Sequence, residues 1–376
     1  MPKRIDIVAT TIGDGGFLAP YADLVLATGA AERVRLLAIP DRRTPRAFYA
    51  AVEAACRRGV QVEAPGIAAQ EDLLRSLGAG DFVPWNSDNR RNVGYLLAWM
   101  SDAEVVVSID DDNLPVAGDM LERHAIVAAG PARREIVSCD SGWFNPCRML
   151  QLDPPAVTAF ARGFPYEQRG PEGGISTRVE EVTVRVNAGL WYGDPDVDAV
   201  TRLALRPRVE PAPVGSLVLD RGTWAPVNSQ NTALHREALP AYWFVRMGQR
   251  LFGGVIDRFG DIFSGYFLQA CAKHLGHGVR FGDPIADHRR NDHVVLEDLS
   301  AELPGIRALE PLAGWLRECR LEGGGYADAY RSLSHALDEA AEDSELTGAE
   351  PAARSFLHET ASSMRRWLDL LTRAAA

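Results

Sequence analysis

Three consecutive aspartates, Asp110, Asp111 and Asp112, follow directly on the apolar run Val105-Val106-Val107-Ser108-Ile109. A β-branched run of this length reads as a buried strand. Three like charges at its end repel one another unless a cation uses them. Hard cations such as Mg²⁺ and Mn²⁺ take carboxylate oxygens. The pattern predicts a divalent-metal site at the carboxyl edge of a sheet, where open α/β folds bind ligands. In a D-x-D arrangement one carboxylate binds the metal while a neighbour reaches ribose or sugar hydroxyls. Asp110 and Asp112 are the metal candidates and Asp111 the sugar candidate. Such a metal clamps a diphosphate and stabilises its charge as a leaving group. The plain alternative is a solvated acidic turn, which seldom follows a buried strand so closely. A phosphatase-type D-x-D nucleophile is followed by Thr or Val, whereas Asn113 follows here.

The chain has 376 residues, 46% of them hydrophobic, which is ample for one large domain or two. Its net charge is -11, with no basic tail or arginine stripe, so general nucleic-acid binding is not expected. Lys3 and Lys273 are the only lysines. With the heavy use of Ala this suggests a GC-rich bacterial genome, and it argues against Schiff-base chemistry. The cysteines, Cys56, Cys139, Cys147, Cys271 and Cys319, are odd in number and none has C-x-x-C spacing. A disulfide framework or zinc site is not expected, and a reducing cytoplasm fits. Met1-Pro2-Lys3-Arg4-Ile5 passes into a strand-like run with no signal-peptide core. No apolar stretch is long enough to span a bilayer, so no membrane partner is expected.

Residues 5–12 read as a first strand ending in the polar loop Thr10 to Gly16, which contains Asp14. A helix over 21–28 and a strand over 34–39 follow, the latter ending at Pro40-Asp41. Residues 60–63 read as a weak third strand, 91–100 as a helix and 104–109 as the aspartate strand. This alternation predicts a mainly parallel, Rossmann-type sheet with helices on its faces. Thr10, Asp14 and Asp41, at strand ends, are nucleotide or sugar candidates. After about residue 113, Pro- and Gly-rich loops over 142–145, 163–174 and 207–213 alternate with short strands over 183–186 and 216–219. Such loops carry substrate contacts. Residues 262–274 read as a helix stopped by Gly276. From 308 onward the pattern is helical, with amphipathic stretches over 330–341 and 352–374. The expected division is a nucleotide-sugar domain over 1–300 and a helical region over 301–376, packed on the core or on another subunit.

Four further segments carry candidate chemistry. His288 follows a short strand-like run in a polar loop; a lone His is more often structural than a ligand. Arg90 and Arg91 open the helix before the aspartate strand, where fixed positive charge would serve a metal-diphosphate; otherwise they are surface arginines. Asn187 to Asp198 combines Trp191 with Asp194 and Asp196 in a turn, a pattern that holds sugars, or else a core Trp beside a polar turn. Arg258-Phe259-Gly260-Asp261 opens a helix, with Asp261 either its N-cap or a catalytic group.

Together these segments resemble the reversibly glycosylated polypeptide family, which includes the UDP-arabinopyranose mutases and looks like the GT-A glycosyltransferases. The likeness runs from about Asn86 to Asn291. Arg91-Asn92-Val93-Gly94-Tyr95-Leu96 resembles the family's Arg-x-Phe-Gly-Tyr-Leu, and Ile109-Asp110-Asp111-Asp112-Asn113 its Ile-Asp-Asp-Asp-Cys. Gly189-Leu190-Trp191 and Pro195-Asp196-Val197-Asp198-Ala199 resemble its Gly-Leu-Trp and Pro-Asp-Tyr-Asp-Ala. Asn231-Thr232-Ala233-Leu234 is similar to its Asn-Leu-Ala-Phe. Arg258 to Phe263 resembles Arg-Tyr-Asp-Asp-Met-Trp, with Gly260 replacing one Asp, and His274-Leu275-Gly276-His277-Gly278-Val279 resembles His-Leu-Gly-Leu-Gly-Val. The resemblance implies metal binding by the triplet with His288, and nucleotide-sugar contacts that include Asn231 and Arg258. It also implies a reactive role near Arg91, whose family counterpart is associated with reversible sugar attachment. A homo-oligomer is implied by analogy with the family.

The expectation is a divalent-metal-dependent, flavin-independent mutase that interconverts the pyranose and furanose forms of a UDP- or GDP-sugar. No G-x-G-x-x-G fingerprint follows the first strand, so no flavin is expected. Arg91 is an awkward nucleophile because guanidinium is essentially always protonated; a carboxylate such as Asp261 is chemically easier. The alternatives are a GT-A-type transferase to an external acceptor, with Asp261 as base, and a non-catalytic nucleotide-sugar binder.

Overall fold

The N-terminal third alternates strand and helix. β1 (Ile5–Thr11), α1 (Leu18–Ala27), β2 (Val34–Pro40), α2 (Arg46–Arg57), β3 (Gln61–Glu63), α3 (Ile67–Ser76), α4 (Arg91–Trp99) and β4 (Val105–Ile109) follow in order. A computed structural model describes residues 3–116, 118–155, 158–170, 173–291 and 293–375. Met1 and Pro2, and residues 171 and 172 of the expected loop, lie outside the described residues. β1 pairs in parallel with β2 and β4, and β2 with β3. Every residue of β4 is buried, as a parallel strand covered on both faces requires. α4 lies so close on β1 that a Cβ at Gly94 would stand 2.4 Å from Val8 Cγ1. Only glycine fits there, which explains the Gly in the Arg-to-Leu motif.

The remaining elements are β5 (Asn113–Pro115), α5 (Met120–His124), β6 (Ala132–Cys139), β7 (Leu152–Asp153), β8 (Ile175–Val182) and β9 (Val184–Gly193). Then come α6 (Ala199–Ala204), β10 (Arg208–Val209), β11 (Ser216–Leu219), β12 (Asn231–His235), β13 (Arg250–Leu251), β14 (Gly254–Val255), α7 (Gly260–His274) and β15 (Gly278–His288). Helices α8 (Val295–Glu318), α9 (Tyr326–Ala340), α10 (Ser344–Thr347) and α11 (Pro351–Ala374) close the chain. The sheet runs β3-β2-β1-β4-β12-β9-β15-β11-β6-β8. β12 is antiparallel to β4 and β9, and β15 is parallel to β9. The carboxyl ends of β4, β9 and β15 therefore converge on one edge. This is a Rossmann-type mixed sheet flanked by helices, with a C-terminal helical extension.

Two strands outrun their expected lengths. β9 continues through Gly189-Leu190-Trp191, which read as a turn, and β15 continues to His288, which read as a loop. Gly, Pro and polar residues break their alternation, yet each is paired on both sides. α8 begins well before residue 308 despite Pro304 and Pro311, and it runs through the division expected at 300. The C-terminal helices share the main core: the Trp243 and Trp367 rings lie 5.7 Å apart, and Phe263 and Phe356 5.5 Å. Among the described residues no helix is long and apolar enough to cross a membrane.

Candidate active site

β4 delivers the triplet to the sheet edge, and each carboxylate meets a different partner. Asp110 Oδ1 accepts from Arg91 Nη2 at 2.5 Å. The guanidinium of Arg91 is buried and also donates to Ser108 Oγ, the Ser229 carbonyl and Ser229 Oγ at 3.1, 3.0 and 2.7 Å. Burial would lower its pKa, but Asp110 outweighs that and holds it above the ordinary arginine value. Arg91 is thus a fixed cation. Arg90 turns away and donates to the Val83 carbonyl and to Gln70.

Asp111 Oδ2 accepts from Thr11 Oγ1 at 2.5 Å. Asp112 Oδ2 lies 3.5 Å from His288 Nε2, and its Oδ1 accepts from Asn113 Nδ2 at 3.0 Å. This contact follows from register, because β5 returns antiparallel to β15 and pairs Asn113 with His288. His288 Nδ1 lies 2.6 Å from the Asp194 carbonyl, which can only accept, so Nδ1 carries the hydrogen and Nε2 faces Asp112. A carbonyl on the far nitrogen is how metal-binding histidines are oriented. Asp112 and His288 fit a divalent cation. Asp110 is drawn off by Arg91, and among the described residues no group of three or more His, Cys, Asp or Glu side chains is gathered tightly enough to hold a metal unaided. Magnesium-type sites need only one or two carboxylates, with water and substrate phosphates completing the shell.

A cleft of about 640 Å³ opens over this edge. Of the sequence candidates, Thr10, Asp41, Arg91, Asp110, Asp111, Asp112, Arg258 and Asp261 line it. Thr10 Oγ1 donates to the Ile39 carbonyl, and Asp41 accepts the backbone N–H groups of Arg42 and Ser87. Arg258, at φ 61°, donates from Nε to Glu302 Oε1 at 3.1 Å. Asp261 does not cap α7, whose N-cap position is Phe259; it sits in the first turn, where Arg162 grips both its oxygens at 3.0 and 2.9 Å.

The other candidates stand apart from the cleft wall. Asp14 is exposed and accepts the Gly16 N–H, closing a local turn. Trp191 is packed in the core on β9, so its ring offers no sugar platform. The Asp194 carboxylate pairs with Arg202 and Arg208, and only its carbonyl serves the site, through His288. Asp196 holds the far side of Arg162 at 2.8 Å; burial would raise its pKa, but Arg162 outweighs that and brings it to about 2. Asn231 braces strands, donating to the Leu190 and Pro284 carbonyls at 3.1 and 2.9 Å. A Cβ at Gly189 would stand 2.3 Å from its Nδ2, so the Gly-Leu-Trp glycine makes room for this asparagine.

Sequence reading missed Asp88 and Arg162. Asp88 reaches water in the cleft from the 3-10 turn Asp88–Arg90. Enclosure by the walls, then repulsion from Asp257 and Asp261 against the pull of Arg91, pushes its pKa up to about 7. Its place one turn before Arg91 was the available signal. Arg162 lies in an irregular segment where sequence offers none.

Fold and site together define a mixed-sheet α/β protein whose cleft gathers carboxylates and a buried arginine at the carboxyl edge of the sheet, with His288 behind Asp112. The chain belongs to the reversibly glycosylated polypeptide family, whose model matches residues 61–375. UDP-arabinopyranose mutase 1 of Arabidopsis thaliana is 28% identical over 306 residues, covering 80% of this chain and 77% of that protein. Probable UDP-arabinopyranose mutase 1 of Pisum sativum is 32% identical over 241 residues, covering 63% of this chain and 60% of the relative. Among solved structures, glucosyl-3-phosphoglycerate synthase from Mycobacterium tuberculosis with Mn²⁺, UDP-glucose and phosphoglyceric acid aligns at a TM-score of 0.40 and 14% identity, covering 83% of this chain and 79% of that one. That likeness is too distant to transfer site chemistry.

Proposed function

We propose that this chain is a mutase interconverting the pyranose and furanose forms of a UDP-sugar, without flavin. The observation that carries the reading is the pairing of buried Arg91 with Asp110 at the cleft edge, beside Asp112 and the His288 behind it, in a family whose relatives are named UDP-arabinopyranose mutases. The uracil nucleotide, rather than guanine, rests on those names.

Asp112 and His288 would hold a divalent cation, Mn²⁺ or Mg²⁺, whose chemistry is to neutralise a diphosphate leaving group. Arg91 adds fixed positive charge where the C1–O bond breaks and its electron pair passes to the diphosphate. Asp111, Thr10, Asp41 and Arg258 are the groups proposed to position the nucleotide and sugar. Asp261, gripped through both oxygens by Arg162, faces the positive charge that develops at C1. The hydroxyl that closes the smaller ring gives up a proton as its oxygen bonds C1. The former ring oxygen takes one as its own bond to C1 breaks. Asp88, which lines the cleft and whose pKa is raised from the ordinary carboxyl value, is suited to accept the first proton and supply the second. The diphosphate then returns to C1.

Incubation with UDP-sugars and Mn²⁺ or Mg²⁺, without an acceptor, should yield an isomer of equal mass by chromatography. Release of free UDP with no isomer would instead assign transfer to an external acceptor.

A further inference from the structure

A second cavity, of about 610 Å³, lies at the other end of α7 and shares no lining residue with the cleft. Along the helix it is about 18 Å from Asp261, at 1.5 Å per residue. In a chain of net charge -11 its lining is strongly basic: Arg221, Lys273, Arg317 and Arg320, with His274, against Glu318 alone. Lys273 is 7% exposed, and its ammonium donates to the Asp220 and Thr223 carbonyls, each at 2.7 Å. An ammonium has three donors, so one is left for the cavity. Burial first, then the positive fields of Arg317 and Arg221 against the pull of Asp220, brings its pKa down to about 7. Both guanidiniums are therefore within electrostatic range of the ammonium. Arg317 stacks over Trp143 at 5.3 Å. Trp224, Leu316 and Leu321 give the cavity an apolar wall.

Basic residues at helix C-termini answer exposed carbonyls, which accounts for Lys273 and Arg317 singly. It does not account for Arg221 in the turn after β11 or Arg320 beyond α8. We propose that this cavity binds a phosphorylated small molecule, its phosphate held by Lys273, Arg221 and Arg317 and its organic part laid against Leu321 and the edge of Trp224. Guanidinium forks match phosphate oxygens, and the volume is that of a typical small-ligand site.

The test is calorimetric titration of the full chain with ribose 5-phosphate at pH 7, with divalent metal chelated. Saturable binding tighter than about 1 mM is expected. It should weaken at least tenfold in Arg221→Ala/Arg317→Ala and persist in Asp112→Ala. No binding, or loss in Asp112→Ala alone, overturns the proposal. Binding only to phosphatidylglycerol vesicles in a sedimentation assay would move the phosphate to a lipid headgroup and overturn the small-molecule assignment. An independent readout needs no variant. Acylation of the wild-type chain at pH 7, mapped by mass spectrometry, should show Lys273 but not Lys3 protected by ribose 5-phosphate. Equal labelling of Lys273 with and without that phosphate ester contradicts the site.

Discussion

Arg91 determines what the acidic triplet does. By taking Asp110 it leaves Asp112 to His288 and Asp111 to Thr11, so three like charges serve three purposes. Substitution Arg91→Ala leaves Asp110 without its buried partner, which costs about 1–3 kcal/mol because Asp110 itself is part-exposed to the cleft. It should also lower kcat by about 10²–10³-fold, the scale for a lost donor at developing charge. Urea unfolding and steady-state turnover check the two separately, and unchanged turnover would remove Arg91 from the mechanism. Asp88 gives a pH prediction. Its folded pKa, about 7, lies above that of a free carboxyl, so the native chain binds more protons between about pH 4 and 7. Its contribution to stability is full below pH 4 and lost as pH rises through 7. Asp88→Asn should match the wild type in acid and melt higher above pH 7. The gap will fall well short of ~1.4 kcal/mol per pKa unit, because water in the cleft screens the charge. Equal melting of the two at pH 8 would contradict this. The triplet itself was legible because three aspartates after an apolar strand have few other uses. Asp88 and Arg162 were not legible, because their importance lies in neighbours brought from far along the chain.

α4 carries Arg91 and is seated on β1 through Gly94, with no room for one added carbon. Gly94→Ala must push the helix outward and should destabilise the fold by about 1–3 kcal/mol, as overpacking does. It should also reduce turnover by shifting Arg91 away from Asp110. A variant with wild-type urea midpoint and full activity would show that α4 has slack. Elements with clean periodicity, such as β1, β2, β4 and α7, were readable at this scale. β9 and β15 were readable only at their starts. Their far ends are polar or glycine-rich and are strands because segments distant in sequence complete their hydrogen bonds, β15 along β9 and both β9 and β5 along β15, information that no local window contains.

On the scale of the molecule, the amphipathic C-terminal stretches predicted helices, while the sharing of one core was visible only in three dimensions. Trp367 of α11 lies against Trp243, and its indole N–H donates to the Leu239 carbonyl at 3.2 Å. Trp367→Ala should cost about 3–5 kcal/mol, measured by urea unfolding. A loss below 1 kcal/mol would mean that α11 is only lightly held by the core. The Asp112–His288 contact has a consequence for the whole chain. Its two sides come from either end of a long stretch of sequence and meet only when β15 has been laid between β9 and β5. A cation loaded there would act as proof of completion, because a chain stalled before its last strand has nothing to offer it. At about 100 times Kd, Mn²⁺ should then add about 2.7 kcal/mol to stability, and none to that of His288→Ala. A melting curve with and without metal thus becomes an assay of finished chains.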